Sequence, residues 1–289
     1  MDPMTQLSQT RQGVVLIVLG LALAATAGSF MKLLSADLSA LQITWFRFVG
    51  FTLLILPVVL YRFGVKGARP RRAWMQFVRG LTMAAATTAF VTGVRTVDYA
   101  DAIAILYSYP FLLTLLASLF LGERVRWYGW FGVLGGFAGV LLVMRPEFGE
   151  VNRGSLFVFA SAVVVSVQMV LNRKLGSLSH PLVTSLWGAL VATLALTLML
   201  PGNWQPVNEG HFWLLAGLIL TGAISQVLIV FAFARAAAST LAPFTYSEII
   251  SAVIIGLVVF GTLPDWISWS GIVLITISGI LVGRTLGRG

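Results

Sequence analysis

Of the 10 acidic residues in this 289-residue chain, Glu248 is the one set deep inside an apolar run. A carboxyl group in such surroundings is costly to hold and marks a candidate functional site. It can pair with a cationic ligand group, or take up and release a proton. A structural role also fits: a neutral or salt-bridged acid, partnered by Arg47 or hydrogen-bonded to Tyr107. Arg47 lies inside another apolar run, within Trp45-Phe46-Arg47-Phe48. Its planar fork suits a carboxylate or an organic phosphate. Snorkelling to the near interface, or tying one helix to its neighbour, would use the same side chain differently.

Tyr107, Ser108 and Tyr109 precede Pro110, and Pro243 precedes Tyr246 and Glu248. Pro110 has no N–H for the carbonyl of Leu106, so a helix must break or kink there. Pro243 has a similar effect in its own segment. Interrupted helices at matching places point to a solute site or a gate; a packing kink is the plainer alternative. Ser161, Gln168 and Asn172 share one helical face, Gln226 and Gly222 share another, and Thr88 and Thr92 stand one turn apart. Such groups line a polar cavity or hold helices together, the latter at about 0.6 kcal/mol per hydrogen bond. Covalent and metal chemistry have no support. The chain has no Cys, its two His (His180 and His211) fall in loops, and no metal, nucleophile or nucleotide-phosphate motif is present. No cofactor, no metal and no ATP hydrolysis within the chain are expected.

The elements that must position these side chains are membrane-spanning helices. Apolar residues make up 58% of the chain and charged residues 10%, against about 45–50% and about 25% in soluble domains. Runs such as Val14–Met31, Ala102–Gly122 and Phe212–Ala234 carry no ionisable group. Each reaches the roughly 18 residues that a hydrocarbon core demands, and a lipid-exposed backbone there must be helical. The predicted spans are 13–33, 41–61, 73–94, 100–121, 127–145, 153–174, 181–200, 211–235, 240–261 and 266–285, an all-α integral membrane protein of ten transmembrane helices. With the N-terminus in the cytoplasm, 13 Lys and Arg fall at the cytoplasmic ends and four at the opposite ends. This asymmetry predicts cytoplasmic N- and C-termini and an even number of spans. A net charge of +9 is thereby a topology signal, and nucleic acid is not an expected partner.

A shift of 139 residues superposes Trp74 on Trp213, Thr82 on Thr221, Tyr107-Ser108 on Tyr246-Ser247, Trp127 on Trp266 and Gly132 on Gly271. Earlier in each half the shift is 141 to 142, with Gly13 on Gly154 and Trp45 on Trp187. An ordered series at nearly one offset implies an internal repeat. The expected organisation is a tail over 1–12, one five-helix unit over 13–147 and a second over 148–289. Five spans per unit make the halves inverted relative to each other. Inverted repeats around a midplane site are the design of secondary transporters, which work by alternating access.

Arg47-Phe48, Tyr107-Ser108-Tyr109-Pro110-Phe111, Leu121-Gly122-Glu123 and the glycines 132, 135, 136 and 139 carry a family resemblance. Over essentially its whole length the sequence resembles the EamA-type branch of the drug/metabolite transporter superfamily. Within that branch it is similar to the YddG-like amino-acid and metabolite exporters. The resemblance implies spans 1–4 and 6–9 around a central cavity, spans 5 and 10 at the periphery, and export of small metabolites at a bacterial inner membrane. It also favours a structural role for Arg47, because members of varied substrate carry an arginine there. The second half departs from the pattern, reading Gly261-Thr262 where the first has Gly122-Glu123.

The expected function is secondary export of small metabolites, above all amino acids including hydrophobic and aromatic ones. The expected cavity residues are Thr88, Tyr107, Ser108, Tyr109, Gln168, Asn172, Gln226, Tyr246 and Glu248. Glu248 and Arg47 are the candidates for coupling or charge pairing, proton coupling included, and Pro110 and Pro243 for gating. The expected partners are a small-molecule substrate and the lipid bilayer, with the chain a monomer or weak homodimer. Two alternatives stand beside this. An organic-phosphate or nucleotide-sugar exchanger would need two or more basic residues in the cavity, and only Arg47 is judged deep. A non-transporting membrane subunit or an enzyme would leave the repeat without a purpose.

Overall fold

The computed structural model describes residues 3–120, 127–145, 152–175 and 180–286. All regular secondary structure among the described residues is helical. The helices are α1 (Pro3–Leu34), α2 (Ala40–Gly67), α3 (Ala73–Val94), α4 (Tyr99–Leu106), α5 (Tyr109–Phe120), α6 (Trp127–Met144) and α7 (Arg153–Leu175). They continue with α8 (Pro181–Met199), α9 (Glu209–Arg235), the one-turn α10 (Ala238–Leu241), a 3-10 turn (Ala242–Tyr246), α11 (Ser247–Phe260) and α12 (Trp266–Leu286). Among the described residues, eight segments are long and apolar enough to cross a membrane, counting Tyr99–Phe120 and Thr240–Phe260 each as one, and two shorter apolar helices accompany them. The segment expected as a tail is helical from Pro3, because no breaker falls between that proline and Gly13. The motif Leu121-Gly122-Glu123 lies outside the described residues.

Local sequence accounts for the helix ends. The Ser39 hydroxyl caps α2 by accepting from the Gln42 N–H at 3.2 Å. Asn208 and His211 form a capping box at the start of α9, each side chain accepting from the other's backbone N–H at 3.2 Å. Such caps satisfy N–H groups that have no partner within the helix. His180 caps α8 with Pro181 following, the position where a missing N–H costs nothing. Burial and the nearby Arg62 push the His180 imidazole down from its ordinary range. Gly261 ends α11 at φ 66°, a left-handed conformation that glycine adopts without strain.

The packing pairs helices from the two parts of the chain: α1 along α9, α3 along α7, α2 against α8, and α6 along α12. Several contacts are so close that only glycine fits. A Cβ on Gly132 would press on Val282 and the Ser278 carbonyl, at 2.8 and 3.0 Å. One on Gly271 would meet Val143 and the Gly139 carbonyl, at 2.6 and 2.7 Å. The 139-residue shift carries the first contact onto the second with the partners exchanged: 132 goes to 271, 139 to 278 and 143 to 282. Gly13 against Ala232 and Ala236 corresponds likewise to Gly154 against Gly93 and Val97, the glycines being 141 apart and their partners 139.

One end of the bundle is tied by polar contacts. Asp37 accepts from the His211 Nε2–H at 3.0 Å. Gln42 exchanges two hydrogen bonds of 2.9 Å with the Gln205 backbone, and the Ser39 hydroxyl donates to Asn203 at 2.8 Å. Lys32 donates to the carbonyls of Val94 and Val97 at the end of α3. Its ammonium therefore caps a helix C-terminus, where the dipole favours a cation. At the same end Arg145 pairs with Asp265. Trp74, Trp127, Trp213 and Trp266 lie exposed at helix ends, as interfacial tryptophans do.

Candidate functional site

Both interrupted helices lie beside a central lumen. The first break is at Tyr107 and Ser108, where α4 stops and α5 begins one residue before Pro110. Pro110 thus sits in the first turn of the new helix, the place that tolerates it. In the second, Pro243 lies in the 3-10 turn ahead of α11, and Glu248 is the second residue of α11. Packing of α4 against α11 brings the breaks together. The Tyr107 hydroxyl lies 2.6 Å from the Thr245 carbonyl and 2.8 Å from Glu248 Oε2. Tyr107 also contacts the rings of Tyr109 and Tyr246 at centroid distances of 5.7 and 5.3 Å.

The lumen has two lobes, of about 260 Å³ and about 340 Å³. Both are lined by Arg47, Phe48, Met83, Gln168, Met169 and Gln226. Glu248 faces the smaller lobe, together with Ser161. Tyr109, Asn172, Arg79 and Ser185 face the larger. Neither lobe reaches the residues of the polar tie at the bundle end.

The sequence-derived residues divide by position. Arg47, Tyr109, Gln168, Asn172, Gln226 and Glu248 line the lumen. Tyr107 and Tyr246 are buried behind Glu248, and Tyr246 presses its hydroxyl toward Gly279 of α12. Ser108 is buried with its hydroxyl unpartnered, and lines neither lobe. Thr88 likewise lies outside both lobes, its hydroxyl buried, while its neighbour Thr87 faces the smaller one.

Arg79 is the residue that sequence reasoning passed over. Arg47 was judged the single deep arginine, yet Arg79 lines the larger lobe and is only 5% exposed. The two arginines differ in what they hold. Arg79 donates from Nη1 to the Thr184 carbonyl at 2.9 Å and from Nε to Asn172 Oδ1 at 2.5 Å, so it clamps α3 to α7 and α8. Arg47 makes a cation–π contact with Phe48 at 5.7 Å and, among the described residues, no hydrogen bond or ion pair. The signal for Arg79 was available in its isolation within an apolar run; its buried acceptors come from helices far along the chain.

Apolar helices around a lumen that displays an unpaired guanidinium, a carboxyl group and amide side chains form the body of a membrane transporter. The chain matches the EamA-like transporter family twice, over residues 11–145 and 152–284, and it belongs to that family. It is similar to an S-adenosylmethionine uptake transporter of Rickettsia bellii, 24% identical over 91% of this chain and 90% of the relative. It is similar also to a riboflavin transporter of Rhizobium johnstonii, 28% identical over 81% of this chain and 78% of the relative. A third relative, a pseudopaline exporter of Pseudomonas aeruginosa, is 27% identical over 95% of this chain and 97% of its own length. A crystal structure with 19% sequence identity superposes over 97% of this chain and 98% of its own, at a TM-score of 0.66, which shows a common fold. The protein is thus a multi-pass bacterial inner-membrane transporter, not an enzyme.

Proposed function

We propose that the protein is a secondary exporter of small amphipathic metabolites bearing an amino-carboxylate head, amino acids foremost, working by alternating access. The observation that carries the reading is the pair of opposite charge types on one lumen, Arg47 and Glu248. Arg47 has free donors for a carboxylate, and Glu248 can face an ammonium or sulfonium. Gln168 and Gln226 add amide groups beside them, and Met83, Met169 and Phe48 offer a soft apolar wall. Methionine side chains adapt to varied shapes, which suits a carrier of broad specificity. S-adenosylmethionine, the cargo named for one relative, has such a head and a cationic sulfur.

The alternating-access part of the proposal rests on ten spans arranged as two inverted units, 13–147 and 148–289, with both termini cytoplasmic. The exchanged glycine contacts of Gly132 and Gly271 support that arrangement, as do the two family matches. The organic-phosphate reading gains a second lumen arginine in Arg79. Two of its five N–H groups are already held by Asn172 and Thr184, whereas Arg47 has its whole fork open to an anion, and a single open fork favours a carboxylate over a phosphate.

Counterflow in proteoliposomes tests the reading. Vesicles loaded with unlabelled tryptophan, methionine, S-adenosylmethionine, riboflavin or glucose 6-phosphate are challenged with the labelled compound. Exchange of the amino-carboxylate compounds, lost in Arg47→Gln, is the expected result. Exchange of glucose 6-phosphate alone would move the protein to the phosphate-exchanging class, and exchange of none would overturn the proposal.

A further inference from the structure

We propose that Glu248 is protonated in this conformation and that its proton is exchanged for the cationic group of the solute, so that solute and proton move in opposite directions. The inference rests on the solute site proposed above, and it starts from hydrogen-bond bookkeeping at Tyr107. A phenol has one hydrogen to donate. Its oxygen lies 2.6 Å from the Thr245 carbonyl and 2.8 Å from Glu248 Oε2. The carbonyl has no hydrogen of its own, so the shorter contact takes the phenol's. The second contact then needs a hydrogen from the other side, and the Glu248 carboxyl is the group that can supply it. The result is a directed chain in which Glu248 O–H donates to Tyr107 and Tyr107 O–H donates to Thr245.

The surroundings favour the neutral acid. The other titratable groups around Glu248 are Tyr99, Tyr109 and Tyr246, with Arg47 across the lumen. The Tyr99 hydroxyl is already donated to the Ala25 carbonyl. Arg47 shares the lobe, yet no ion pair joins it to Glu248 within 4.0 Å. A carboxylate and a guanidinium lining one low-dielectric lumen would attract strongly; left apart, they match a neutral acid facing a cation that awaits an anion.

Arrival of an amino-carboxylate solute changes the balance. Its carboxylate pairs with Arg47. Its ammonium approaches Glu248, the Oε2–H bond breaks, and the proton leaves to lumen water. Tyr107 keeps its own O–H bond to Thr245 and now lacks a donor at its oxygen, which loosens α4 from the 3-10 turn. When the solute leaves on the far side, the carboxylate takes a proton from water there and the chain of bonds re-forms. One proton moves against each solute; with a zwitterionic solute of zero net charge the cycle carries one positive charge in the proton's direction, and an inward proton gradient would drive solute outward.

Three measurements on the purified full-length protein test this. Infrared spectra without added solute should show the carbonyl stretch of a protonated carboxyl group, absent in Glu248→Gln and shifted in Tyr107→Phe. Tryptophan, or separately S-adenosylmethionine, added to the protein in weakly buffered detergent solution should release protons in proportion to solute bound, and none in Glu248→Gln. In proteoliposomes a pH gradient should accumulate solute against its gradient for wild type and not for Glu248→Gln. If Glu248→Gln does not fold, the Tyr107→Phe band shift still decides whether the protonated acid is Glu248. A missing or unshifted band, binding without proton release, or counterflow indifferent to pH would each overturn the proton exchange while leaving the carrier intact. Loss of counterflow for every solute in wild type overturns the carrier itself.

Discussion

Tyr107 and Glu248, 141 residues apart in sequence, meet hydroxyl to carboxyl at 2.8 Å where two interrupted helices face each other. The phenol closes the gap that Pro110 and Pro243 open, because helix ends leave carbonyls such as that of Thr245 in need of a donor. Tyr107→Phe keeps the ring against Tyr109 and Tyr246 and removes only the hydroxyl. A buried hydrogen bond lost with its partners left unpaired costs about 1–3 kcal/mol. The expected outcome is a folded protein with a lower melting temperature in detergent, read by the fluorescence of its tryptophans. An unchanged melting temperature would show that the hydroxyl does not hold the two breaks together.

The two lumen arginines should respond oppositely to the same substitution. Arg79→Met leaves Asn172 Oδ1 and the Thr184 carbonyl without their donor, at a cost of about 1–3 kcal/mol for each buried acceptor left unpaired. It should lower the melting temperature strongly. Arg47→Met removes a half-buried, lumen-facing charge that has no hydrogen-bonded partner among the described residues, and replaces it with an apolar group of similar length. Its melting temperature should hold or rise, while exchange of carboxylate-bearing solutes falls at least tenfold. That contrast separates a structural arginine from one held open for solute. Equal destabilisation by both would refute it.

What the sequence made legible follows from what the membrane enforces. Long uncharged runs admit helices alone, so the main helices and the two breaks could be placed from residue type. Gln168, Gln226, Asn172 and Glu248 were readable as lumen residues because polar groups in such runs stand out. Ser108 and Thr88 stood out equally and line neither lobe, since period alone does not say which neighbour a helical face meets. Arg79 was misjudged for the same reason. One of its acceptors, the Thr184 carbonyl, is a backbone atom, and no residue type announces a backbone acceptor in another helix.

The glycines of the α6–α12 pair make a steric prediction. A Cβ at Gly136 would lie 2.2 Å from the Phe111 ring, and one at Gly139 would lie 2.8 Å from the Gly271 carbonyl. Helices approach this closely in membranes only where small residues let them. Gly136→Ala and Gly139→Ala should each destabilise by about 1–3 kcal/mol, the usual result of overpacking. Gly202→Ala, at a turn with open space around it, serves as a comparison in which only the left-handed φ of 85° is opposed. Thermal melts of the three variants check the order; a Gly139→Ala protein as stable as wild type would mean that α6 and α12 do not touch as described.

The polar tie at one end of the bundle and the position of the larger lobe together predict which way the lumen opens. Asp37 with His211, and Gln42 with Gln205, join the α1–α2 corner to the α8–α9 corner. The larger lobe runs the other way, from Arg47 and Gln168 to Arg79, Asn172 and Ser185. The chain has no native cysteine, so single cysteines can be introduced without prior changes. Cysteines at Ser185 and Gly222, both lining the larger lobe, should react with a charged, membrane-impermeant thiol reagent applied to the α1 N-terminal side. One at Ser108, buried behind the break, should stay protected from either side. Asp37→Asn weakens the tie by removing the charge from the His211 contact, and should raise labelling of the same cysteines from the opposite side. A reagent that reaches Ser185 equally from both sides in the wild-type background would show that the tie seals nothing. Labelling from the tied side alone would reverse the assignment of the open end.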